Sequence, residues 1–210
     1  MACLIPIASY SGKVPMRARQ FEKQLARLLL DQQPWSASEI DQRTRGLRDA
    51  GLLPVGGRGL NAPDITSRHA ALILISLAAT NRAVETADAA RAYASMEPVN
   101  PDAPFAGQTM FADALGAILN DPYLELEVST VVICRTWQEA IIKFRRGGRE
   151  QSTVYRPPGT LEFDSYSVRV REDVTLGGGI LQELAIGLAG LNDVGGWLDM
   201  ARRADREMDS

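Results

Sequence analysis

From Met16 onward, stretches with a helical apolar repeat alternate with short breaks rich in proline or glycine. Phe21, Leu25, Leu28 and Leu29 recur at i, i+4, i+7 and i+8, the stripe of a helix with one buried face; the spacing predicts a helix over 16–32, which Pro34 ends. Ser36 then offers an N-cap with Glu39 three residues on, as in a capping box, and Gly51 supplies the stop, so a second helix is expected to about Ala50. Leu52-Leu53-Pro54 leads into Val55-Gly56-Gly57-Arg58-Gly59-Leu60-Asn61-Ala62-Pro63, where three glycines permit a tight reversal that reads as a small wing. Thr66 caps a third helix; Ala70, Leu72, Ile73, Ile75, Leu77 and Ala78 make it apolar on most sides and hence buried. After a break near Asn81, helical pattern continues from Glu85 to Ser95.

Pro98, Pro101 and Pro104 mark a linker, and beyond it Phe111, Ala114, Leu115, Ile118 and Leu119 predict another helix, stopped at Asn120-Asp121-Pro122. The period then changes to two. Leu124-Glu125-Leu126-Glu127-Val128 alternates, Val131-Val132-Ile133 continues apolar, and Ala140–Phe144, Thr153–Tyr155 and Tyr166–Arg171 read as further strands, with Gly147-Gly148 as a turn. Helical pattern returns over 180–191 and 197–208. The expected architecture is α+β: an N-terminal winged helix-turn-helix, a helical connector, and a small C-terminal antiparallel sheet flanked by helices. Its expected divisions are 1–97 (DNA-binding domain with helical extension), 98–110 (Pro-rich linker) and 111–210 (interaction or oligomerisation domain).

Charge sharpens this picture. The 210 residues carry a net charge of −3 and are 45% hydrophobic, enough for a buried core and too acidic for a uniformly basic coat protein. Residues 1–69 nevertheless hold ten Lys/Arg against six Asp/Glu, whereas the remainder is acidic, so the N-terminal part is the side expected to meet a polyanion. On the second helix, Ile40, Thr44 and Leu47 face the core, which turns Asp41, Gln42, Arg45, Arg48 and Asp49 outward. Gln42, Arg45 and Arg48 are donors suited to phosphates or to base edges in a major groove, with Asp41 and Asp49 diluting the face. Arg58, flanked by glycines, suits a minor groove. Arg43 and Arg68 are expected to add phosphate contacts, on charge and position.

The run Leu47-Arg48-Asp49-Ala50-Gly51-Leu52-Leu53-Pro54, the glycine-rich turn with Arg58, and Asp64-Ile65-Thr66-Ser67-Arg68-His69-Ala70-Ala71-Leu72 resemble the recognition helix, wing and following helix of MerR-like regulators. The stretch also looks like regulators carried by bacterial phages and prophages. This resemblance covers about a third of the chain and implies that the helix with Arg45 and Arg48 enters the major groove while Arg58 sits on the wing. The paired aromatics, C-terminal coiled coil and cysteine sensor of MerR-type proteins have no counterpart here, so metal or redox sensing is not implied.

Other chemistry has blander readings. His69 is the only histidine and is read as structural, a phosphate contact being the alternative; Gly177-Gly178-Gly179 lacks the residues of a Walker or dinucleotide loop and reads as a turn. Glu125 and Glu127 follow the wet face of a strand, and Arg145, Arg146 and Arg149 a solvated hairpin tip, a second nucleic-acid contact being the alternative. Cys3 and Cys134 stand alone, the reduced thiols of a cytoplasmic protein, and no signal peptide or membrane span is expected. The expectation is a non-enzymatic, cofactor-free transcription regulator that binds duplex DNA as a homodimer. The alternative is a protein-interaction factor, such as a phage adaptor or inhibitor acting on a host protein partner.

Overall fold

Ser36 and Thr66 cap their helices as expected, and the helices follow from them. The computed structural model describes residues 16–29, 35–56, 63–121, 127–160 and 170–190. Helix α1 (Ala18–Leu29) buries Phe21, Leu25 and Leu29 along its stripe. The backbone N–H of Glu39 donates to Ser36 Oγ at 3.2 Å to start α2 (Ala37–Asp49), and Gly51, at φ 71°, turns the chain after it. Thr66 opens α3 (Ser67–Ala79), in which every side chain from Ala70 to Ala79 is buried, as expected of a helix apolar all round. A 3₁₀ turn (Ala83–Glu85) leads to α4 (Thr86–Ala94); α5 (Phe111–Asn120) and α6 (Gly178–Leu188) complete the six helices of the described residues.

Five strands form one open antiparallel sheet in the order β1-β4-β3-β2-β5: β1 (Glu97–Pro98), β2 (Val128–Cys134), β3 (Glu139–Arg146), β4 (Arg149–Arg156) and β5 (Asp173–Gly177). Its inner face aligns Val131 and Ile133, Ala140 and Ile142, Tyr155, and Leu176, all buried in one apolar core with α3 and α5. The protein is thus an α+β protein. No helix among the described residues is long and apolar enough to cross a membrane.

Residues 98–110, expected as a Pro-rich linker, pack against the sheet. Val99 N–H donates to Val154 O at 2.8 Å, and Phe105 is buried edge-on against Phe144 with ring centroids 5.0 Å apart. One aromatic with a facing partner is enough to pin a proline-rich segment, and sequence spacing does not display that partner. The expected strands at Leu124–Leu126 and Tyr166–Arg169, the helix over 197–208, and the tip of the wing with Arg58 lie outside the described residues.

The C-terminus of α3 is held without a glycine. Arg43 Nη1 donates to Ser76 O (2.8 Å) and Thr80 O (2.9 Å), and from the far end of β2 Arg135 Nε donates to Ala78 O at 2.7 Å. Two guanidinium groups therefore satisfy carbonyls that a helix end leaves unpaired, at the pole where positive charge is favourable. Arg91 of α4 does the same for α2, donating to Ala50 O at 2.9 Å.

Candidate nucleic-acid interface

Helix α2 sorts its polar residues by depth. Gln42 and Arg45 are exposed, Arg48 is half-buried, and Arg43 is buried, with 1% of its surface exposed. Arg43 was expected to contact phosphate. It points inward because it lies three residues after Ile40 and four before Leu47, on the core side of the helix. Besides the two carbonyls of α3, its Nε and Nη2 donate to Glu39 Oε1 at 3.2 and 2.8 Å. Glu39 is therefore turned to Arg43 instead of closing a capping box.

The remaining arginines differ in how firmly they are engaged. Arg45, with its side chain 69% exposed, pairs with Asp41 one turn earlier. Such an exposed i,i+4 pair contributes no more than about 0.5 kcal/mol, so a phosphate can replace Asp41 as its partner. Arg48 reaches α1 and donates to Glu22 at 2.5 Å, where the carboxylate is only 12% exposed. Burial pushes the Glu22 carboxyl above the ordinary carboxylate range, opposed by Arg48, and removing Arg48 would leave that group without its cation. Arg48 is thus a bracket between α1 and α2 as much as a surface donor. Arg68, in the first turn of α3, is half-exposed and pairs with Asp113 of α5.

The segment containing Arg58 starts and ends at fixed points. Leu53 and Ile65 are buried; Leu52 N–H bonds Leu47 O at 2.9 Å, Ile65 N–H bonds Met16 O at 3.0 Å, and Arg17 and Asp64 form an antiparallel bridge. At its base lies a cavity of about 330 Å³ lined by Gly51, Leu52, Arg68, His69 and Arg91. His69, read from the sequence as structural, is the N3 member of a capping box: its backbone N–H donates to Thr66 Oγ1 and its Nδ1 accepts from Thr66 N–H, both at 3.2 Å.

That role requires a neutral imidazole. Burial, and then the neighbouring Arg68, push the His69 pKa below its ordinary 6.5. The folded state therefore binds fewer protons at this site than the unfolded state, and stability is lost as the pH falls from about 6.5 through the folded pKa. Unfolding in urea at about pH 7 and about pH 5 should show wild type losing more stability than H69Q, which keeps an N3 acceptor that does not titrate. Equal losses in the two proteins would remove His69 from the cap.

The other groups singled out in the sequence stay apart from this surface. Glu127 pairs with Arg146 at 3.5 Å and Cys134 is buried in β2; Glu139, which carried no sequence signal, is buried at the start of β3 and held by Arg156 Nη2 at 2.7 Å and Arg171 Nη2 at 3.4 Å. The Arg91 and Arg135 helix caps carried no sequence signal, since their acceptors lie 41 or more residues away. No protein family, curated protein or solved structure matches the chain.

Proposed function

We propose that the protein is a DNA-binding transcription regulator of phage or prophage type that contacts duplex DNA through α2 and the glycine-rich segment after it. The supporting observation is that Gln42 and Arg45 remain on the solvent side of α2 while Leu53 and Ile65 anchor both ends of the segment carrying Arg58. One helix face and one arginine read too few base pairs for strong selectivity, so a homodimer on paired half-sites completes the proposal. Arg43 leaves the contact set, Arg48 serves partly as a bracket, and the chief contacts are Arg45 and Arg58.

In a salt titration of duplex binding, R45Q/R58Q should weaken affinity by roughly tenfold and lower the salt slope by about 2, because each phosphate contact contributes about 0.9. Unchanged affinity and slope would refute this assignment. The second reading, a protein-interaction factor, is favoured by Val55, 79% exposed at the start of the same segment. Its mark is salt-insensitive association with a protein and no duplex binding.

A further inference from the structure

A group of cations without ion pairs lies on the sheet, far along the chain from α2. Strands β3 and β4 pair from Ala140↔Tyr155 to Arg146↔Arg149. Their neighbour β2 leaves the ladder at Val128↔Phe144, and β1 touches β4 only at Tyr155 and Arg156. Residues 145–150 consequently extend past the sheet as a two-stranded ribbon. Gly147 and Gly148, at φ 57° and 74°, close it in the two-residue turn with both central residues left-handed, which matches strand twist and fixes the register.

This ribbon is basic along its length. Lys143, Arg145, Arg146 and Arg149 face one carboxylate, Glu150 opposite Arg145, and all are exposed. Among the described residues no ion pair holds Lys143, Arg145 or Arg149; Arg146 lies over the Phe144 ring at 5.4 Å and near Glu127. Arg146 and Arg149 stand directly opposite, a like-charge pair that disfavours the hairpin when it is free. A polyanion between them reverses that repulsion. The tip from Arg145 to Gln151 has no apolar side chain, which disfavours insertion into a lipid surface, and a two-stranded ribbon fits the major groove of B-form DNA but not the narrow one of A-form RNA.

We infer that the β3–β4 ribbon is a second duplex-DNA contact, with Arg145 and Arg149 binding phosphates. Its ligand rests on the duplex-binding reading above; its location does not. The test is fluorescence anisotropy of the full chain with a labelled mixed-sequence DNA duplex at several salt concentrations, alongside a duplex RNA and phosphatidylserine vesicles. R145Q/R149Q should bind the DNA roughly tenfold more weakly at moderate salt, with the slope lowered by about 2, while its circular dichroism and melting temperature stay those of wild type. R145E/R149E should weaken it further.

Wild type that binds the duplex while R145Q/R149Q matches it in affinity and slope overturns the ribbon contact and leaves the α2 reading standing. Loss in R145Q/R149Q but not in R45Q/R58Q supports the ribbon and overturns the α2 contact. Wild type that fails to bind duplex DNA, or binds the RNA or the vesicles in preference, overturns both.

Discussion

Replacing Arg43 with methionine is expected to destabilise the protein by about 3 kcal/mol, seen as a lower urea midpoint with an unchanged slope. The substitution keeps an unbranched apolar stem but removes the donors to Ser76 O and Thr80 O, leaving both buried carbonyls at the end of α3 without that partner. Each unmet buried acceptor costs about 1–3 kcal/mol. Glu39, the ionic partner, is 32% exposed and can turn to water, which places the total at the low end of the loss usual for breaking a buried pair. R43K should lose about half as much, since an ammonium can reach one or two of these oxygens but cannot match a fork aimed at three. R45M, on the same helix, should stay within about 0.5 kcal/mol of wild type. An R43M protein as stable as R45M would show that the α2 contact to α3 is incidental.

The second large effect is expected at Gly178, the middle glycine of three. A Cβ there would lie 2.4 Å from Val128 O and 3.2 Å from Ser129 O, backbone atoms at the start of β2 that cannot move aside as a side chain can. G178A should therefore cost about 2–3 kcal/mol by forcing α6 away from the sheet. Gly177 and Gly179 have nothing within 4 Å of the same position, and neither has a positive φ. G179A, inside α6, should gain about 0.5 kcal/mol by restricting the unfolded chain, and G177A should be nearly neutral. Thermal melts of the three single variants test the assignment: equal behaviour at all three positions would mean that close approach of α6 to β2 is not what the glycine serves. The glycine run that reads as a turn in the sequence is thus also a packing contact.

What could be read from the sequence was local. Ser36, Gly51 and Thr66 bounded helices because each acts on atoms within a few residues, and Gly147-Gly148 closed a hairpin for the same reason. The inward turn of Arg43 was also legible: Ile40, Arg43, Thr44 and Leu47 are spaced i, i+3, i+4 and i+7, a complete core stripe, but a charge in that stripe invites assignment to the surface. Arg48, in contrast, was placed correctly on the outer side, yet its carboxylate partner is on another helix, 26 residues away. The same limit hid the anchoring of Phe105 on Phe144 and the capping of α3 by Arg135. Periodicity states which side of an element is buried; it does not state what lies opposite.

Burial of α3 on every side bears on how the chain is made. Its companion α2 leaves the ribosome before it, but α4, α5 and the β2 end with Arg135 are still to come. At ordinary translation rates the gap between the end of α3 and the end of α5, about forty residues, lasts on the order of a few seconds. During that interval the most fully buried helix of the described residues still lacks most of its packing partners, and its last carbonyls are met by Arg43 alone. At that end of α3 the guanidinium from α2 is the one lock already in place.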